Sequence, residues 1–173
     1  MLDHKALVVY ESFWGNTAAV ARAIAEGIGP EARALSTAEA ASELVRDAEL
    51  LVVGAPVIGF ALARDSMRNG IAADDGGGAH PPNLSAPSMR AWLEHLPSTS
   101  ARGAAFETRI WWSPRGATGD IERGLERAGW QRSTAPARFV VKDKYGPLRD
   151  GELERARAWG EAVRSAVPSS RRS

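Results

Sequence analysis

The sequence predicts an α/β protein in three layers, a five-stranded parallel sheet with helices on both faces. Three observations carry this. Residues 6–10 and 50–53 are charge-free apolar runs, as strands covered on both faces require. Stretches of helix formers with apolar residues three and four apart follow the strand-like runs, so five βα units alternate along the chain. No internal repeat breaks that alternation. With 173 residues, 44% hydrophobic and 25% charged, the chain suits one domain over residues 1–168 and a short disordered tail over 169–173.

The first strand, residues 6–10, is expected at the centre of the sheet. Helix formers begin at Ala18, and Val20, Ala21, Ile24 and Ile28 share one stripe. Between them, Ser12-Phe13-Trp14-Gly15-Asn16-Thr17 brings two hydroxyls, an amide and a glycine into six positions. The first-turn N–H groups of a helix lack intrahelical partners, and its dipole favours negative charge there, so this loop suits a phosphate. A helix cap alone would need one such residue. No Gly-Lys-Ser/Thr follows, which argues against nucleoside triphosphate hydrolysis. Gly27-Ile28-Gly29-Pro30-Glu31-Ala32 matches a dinucleotide-binding string, but it closes a helix instead of following a strand, and reads as a cap and a breaker.

Residues 32–35 form a short second strand. Ser36 or Thr37 caps a helix carrying Ala41, Leu44 and Val45 that ends near Asp47. The third strand runs to Gly54, with Ala55-Pro56 ending it. The crevice where the winding reverses is the expected ligand site, at the loops after Tyr10 and Gly54. From Ala55 to Pro87 periodicity is weak, apart from a short helix around residues 63–70. Pro56-Val57-Ile58-Gly59-Phe60 is expected to be ordered at the site, and residues 72–83, which include Asp74-Asp75-Gly76-Gly77-Gly78, to be mobile. Arg64 and Arg68, one turn apart, suit an anionic substrate or a nicotinamide cofactor, with a solvated helix face as the commoner outcome.

Ser85 or Ser88 starts a helix with Met89, Trp92, Leu93 and Leu96 on its apolar face, ended by Pro97. The fourth strand, residues 103–110, is weakened by Glu107 and Arg109 and leads into Trp111-Trp112-Ser113-Pro114-Arg115-Gly116. Adjacent side chains on an extended segment face opposite ways, so one indole can pack inward while the other meets a flat ligand or solvent. Ile121, Leu125 and Ala128 mark the next helix, closed by Gly129. Residues 139–141 are the fifth strand, and residues 150–167 the last helix, with Leu153, Ala156, Gly160, Val163 and Val167 on one face.

Residues 6–28 resemble the opening of the flavodoxin-like FMN proteins, whose first loop reads Ser/Thr-x-Thr-Gly-Asn-Thr and wraps the FMN phosphate. Here Gly15-Asn16-Thr17 matches, and Trp14 replaces the middle threonine, trading a hydroxyl for an indole. The resemblance implies strand order 2-1-3-4-5 and FMN as the cofactor. It places Ser12, Phe13, Trp14, Gly15, Asn16 and Thr17 around the phosphate and Pro56, Val57, Ile58, Gly59 and Phe60 against the isoalloxazine, with Phe60 as an apolar plug in the core the alternative. Trp111, Trp112, Ser113 and Gly116 would form the third wall. It also implies electron transfer with a redox partner protein, or flavin-dependent reduction of a small acceptor such as a quinone. No side chain need be catalytic, because FMN carries the electron chemistry. The alternative is a scaffold of the same fold that has lost FMN and serves as a binding or regulatory module.

Composition removes other classes. Without cysteine there are no disulfides, thiolate metal sites or cysteine nucleophiles. A net charge of +1, from 22 basic and 21 acidic residues interspersed, gives no field for nucleic acid or an anionic membrane. It also differs from the strong acidity typical of flavodoxin shuttles. No stretch reaches the ~18 apolar residues of a membrane span, and no signal peptide is evident, so a cytoplasmic location is expected. His4, His80 and His95 are scattered, and no metal site is expected. There is no Gly-x-Ser-x-Gly elbow, and Glu11 opposite Ala55-Pro56 does not make the acidic cluster of a phosphoryl-accepting receiver.

Overall fold

A computed structural model describes residues 6–73 and 81–168. The expectations for His4, His80, the run from Asp74 to Gly78 and the tail 169–173 lie outside the described residues. In chain order the elements are β1 (Ala6–Tyr10), α1 (Asn16–Ile28), β2 (Ala32–Ser36), α2 (Ser42–Arg46), β3 (Leu50–Ile58), β4 (Ala61–Leu62) and α3 (Asp65–Ala72). Then follow α4 (Met89–Glu94), β5 (Arg102–Ile110), α5 (Thr118–Arg127), β6 (Gln131–Arg132), β7 (Ala137–Val141) and α6 (Glu152–Ala166).

The central strands run parallel in the order β2-β1-β3-β5. The expected fifth strand lies beyond β5 in two pieces: β6 pairs with its start, Arg102↔Gln131, and β7 with its end, Phe106↔Ala137 through Ile110↔Val141. Pro136, which has no N–H, falls in the gap between them. With β4, an antiparallel return on the tip of β3, the sheet has seven strands among the described residues.

Alternation along the strands divides the core. Val8, Val52, Phe106 and Phe139 pack under α1 and α6 with Val20, Ile24, Ala156 and Val163. Val9, Leu51, Val53 and Ala105 pack the other way, against Met89, Leu93, Ile121 and Leu125. Helices α1 and α6 touch through glycine: a Cβ on Gly27 would stand 1.9 Å from the Arg157 carbonyl oxygen, and one on Gly160 2.2 Å from that of Ile24.

Some expected boundaries move, for physical reasons. β3 continues through Ala55-Pro56 to Ile58 and does not end there. The Gly54 carbonyl accepts the Glu11 N–H at 3.1 Å, on the β1 side. Pro56, two residues on, therefore turns its donorless nitrogen to that same side, where β1 has already ended. α2 starts at Ser42. Ser36 is used earlier, in a turn with Glu39, and the Thr37 hydroxyl donates to the Pro87 carbonyl at 2.7 Å. Ser88 does cap α4, its oxygen accepting the Ala91 N–H at 3.1 Å. Leu153 is exposed, because the buried face of α6 begins with Glu152, whose carboxylate accepts the Val140 N–H at 2.6 Å.

Candidate functional site

The carboxyl ends of β1, β3, β5 and β7 meet around a cleft of ≈ 230 Å³. Ser12, Phe13, Trp14, Asn16 and Thr17 line it from the first loop, and Pro56, Val57, Ile58 and Gly59 from the end of β3. Thr108, Arg109 and Ile110 contribute from β5, with Val141 and Lys144 from β7 and the loop after it.

The first loop is built on its backbone. Gly15 has φ 96° and precedes α1, which has no side-chain cap bond. A left-handed residue there favours glycine. The Ser12 hydroxyl oxygen accepts the Gly15 N–H at 3.1 Å, closing the loop on itself. Asn16 donates its side-chain amide to the Tyr145 carbonyl at 3.0 Å, and the buried hydroxyls of Thr17 and Thr108 share a 2.7 Å hydrogen bond. Both side chains are thus engaged by protein. The first turn of α1, without a side-chain cap, is the anion-ready part of the loop. The Trp14 indole stands edge-on to Tyr145, centroids 5.0 Å apart, and joins this loop to the one after β7.

At the tip of β3, Ile58 pairs with Ala61, which leaves Gly59 and Phe60 as a two-residue turn with φ 56° and 64°. Two positive φ values make the mirror-image turn that fits the twist of its strands. Phe60 is the non-glycine residue holding positive φ among the described residues. That conformation costs an L-residue roughly 1–2 kcal/mol. Its ring meets Trp112 edge-on at 5.8 Å. Both expected tryptophans are outside: Trp111 is 69% and Trp112 55% exposed, so neither packs inward. Phe60 and Trp112 form an aromatic rim next to cleft-lining Gly59, outside the residues that line the cleft, and Trp111 is exposed just after β5. Ser113 is buried, its hydroxyl donating to the Arg115 carbonyl at 2.7 Å.

Two buried carboxylates stand at the strand ends. Glu107 is fully buried; its Oε2 accepts the N–H groups of Ala117 at 2.7 Å and Thr118 at 2.9 Å, at the start of α5. Its Oε1 faces the guanidinium of Arg109 at 3.0 Å and that of Arg138 at 3.8 Å. Gly116 is the clearance for this carboxylate, since a Cβ there would lie 2.3 Å from Oε2. The charged pair that weakens the strand pattern is therefore a helix anchor at the end of β5. Glu11 follows β1; its Oε2 accepts from Arg68 at 2.5 Å and from the Met89 N–H at 3.1 Å, while Oε1 is buried with no partner. Burial pushes the Glu11 carboxyl above the ordinary range, against the opposing pull of the Met89 N–H and Arg68. Arg68 also donates to the carbonyls of Leu84 and Ala86. It is a part-buried structural clamp and not a solvated helix face.

Sequence reasoning missed Thr108, Arg109, Ile110, Val141 and Lys144. The signal for one was present: Glu107 and Arg109, two apart on a strand, share a face and can pair. Nothing marked the loop after Val141.

No family model matches this sequence, and no curated protein does. Solved structures match its fold. A flavodoxin from the domain Archaea superposes with TM-score 0.64 at 20% identity, over 92% of this chain and 96% of that one. Flavodoxin 1 from Bacillus cereus gives 0.67 at 14% identity, over 94% and 99%. A WrbA-like flavodoxin from Agrobacterium tumefaciens gives 0.57 at 16% identity, over 92% and 94%. The topology and the cleft define a doubly wound α/β protein with a ligand crevice at its carboxyl edge. Its fold is the flavodoxin-like one, as the strand order expected from the sequence implied.

Proposed function

We propose that residues 1–168 act as one FMN-binding redox domain, exchanging electrons with a partner protein or reducing a small acceptor such as a quinone. The observation that carries this reading is the uncapped start of α1 behind left-handed Gly15, opening beside a cleft with an aromatic rim. The first suits a phosphate and the second a flat ring. Ser12 through Thr17 would hold the phosphate end, largely through the backbone. Pro56 through Phe60 would flank the isoalloxazine, with Trp111 and Trp112 at its outer edge and Ser113 and Gly116 shaping that loop. FMN, when bound, supplies the single-electron and hydride chemistry, and the chain supplies orientation and electrostatics. The domain would work in the cytoplasm. Among the described residues no helix is long and apolar enough to cross a membrane.

A second reading, a cofactor-free binding module on the same fold, draws on the engagement of Asn16 and Thr17 within the protein and on the indole at position 14. A visible absorption spectrum of the purified protein, repeated after adding excess FMN and removing what does not bind, separates the two. Flavin bands that stay with the protein are the expected result. A folded chain that retains none supports the module.

A further inference from the structure

The charged residues that line the cleft, Arg109 and Lys144, are both cationic. Arg109 is the better defined. Its guanidinium is nearly buried and held at 3.0 Å by Glu107, so its position at the end of β5 is fixed. The carboxylate beside it does not cancel its charge. One negative charge on Glu107 faces Arg109, Arg138 at 3.8 Å and two N–H groups at the positive end of α5. The surplus of this cluster is positive, and Arg109 is the member that lines the cleft.

Resting on the reading of the cleft as an FMN site, we propose that Arg109 makes it favour reduced flavin over oxidised flavin, holding the cofactor above the potential of free FMN. Reduction adds two electrons and one proton to the ring. Above neutral pH the reduced ring thus carries one more negative charge than the oxidised ring, spread over N1 and the C2 carbonyl oxygen. A fixed cation in a partly dry cleft stabilises that charge and does little for the neutral ring. Differential affinity for two states of a ligand is, by linkage, a shift of the equilibrium between them. The phosphate is common to both states and shifts nothing.

The test is anaerobic titration of the apoprotein at about pH 8 with oxidised FMN and with reduced FMN, together with the midpoint potential of the bound cofactor. The wild type is expected to bind the reduced form about tenfold more tightly, which for a two-electron couple is about 30 mV above free FMN. Arg109→Gln should lose about tenfold in that ratio, whereas Arg109→Lys, which keeps the charge, should keep most of it. Glu107 retains Arg138 and both α5 amides in either variant, and circular dichroism checks that each folds. FMN bound at or below the free potential, or an unchanged ratio in Arg109→Gln, overturns the role of Arg109 and leaves the FMN site standing. A folded wild type that binds neither form overturns both.

Discussion

Glu11 and Glu107 occupy comparable places and are treated differently. Each is a buried carboxylate at the carboxyl end of an inner strand, each faces an arginine, and each accepts an N–H from the start of a helix. Glu107 has both oxygens satisfied, by Ala117, Thr118 and Arg109. Glu11 has one oxygen satisfied and one buried with no partner. Burial costs a carboxylate unless hydrogen bonds and opposite charge replace its water. Glu107 therefore acts as a joint between β5 and α5. Glu11 is held under strain of solvation, and its carboxyl binds a proton more readily than usual.

The difference is broken or sharpened first at Glu107. In Glu107→Leu, Arg109 and two N–H groups of α5 lose their acceptor inside the protein, which is expected to cost about 3–5 kcal/mol in urea unfolding. A loss below about 1 kcal/mol would mean that water replaces the carboxylate as the acceptor of the joint. Removing the partner of Glu11 should cost less, although Arg68 also ties down the carbonyls of Leu84 and Ala86. With Arg68→Ala, Glu11 escapes an unpaired buried charge by taking up a proton, so the expected loss is about 1–3 kcal/mol. A cost equal to that of Glu107→Leu would show that the two carboxylates are equivalent after all.

The sequence made the scaffold legible because strands buried on both faces and amphipathic helices follow from apolar periodicity, and β1, β3 and α1 show it clearly. The first loop was legible for a similar local reason: Ser12, Gly15, Asn16 and Thr17 crowd into one turn. What the side chains of that turn do was not legible. Asn16 reaches Tyr145 and Thr17 reaches Thr108, partners 129 and 91 residues away in sequence. Local pattern makes Arg68 a helix-surface cation or an anion contact, because nothing near it announces Glu11, 57 positions earlier. The alternation of an extended strand splits Trp111 and Trp112 between the two faces, but β5 ends at Ile110 and the pair lies in a turn, where that rule no longer applies. Long-range pairing and the ends of elements, where the site is assembled, are the parts that local pattern does not encode.

The smallest expected effect follows from the direction of the Glu11 shift. A carboxyl whose folded pKa lies above its unfolded value binds protons more tightly when folded. Its favourable contribution is complete below the unfolded value, near 4.5, and is lost as pH rises through the folded value. Glu11→Gln resembles the protonated side chain and does not titrate. The stabilities of wild type and Glu11→Gln, measured in urea, should therefore be closest near pH 4.5, and the wild type should fall behind as pH rises toward about 7.5. A wild type that gains on the variant over that range would mean that the Arg68 pair outweighs the unsatisfied Oε1. Glu11 would then stand with Glu107 as a fixed anion, and the contrast between the two strand ends would close.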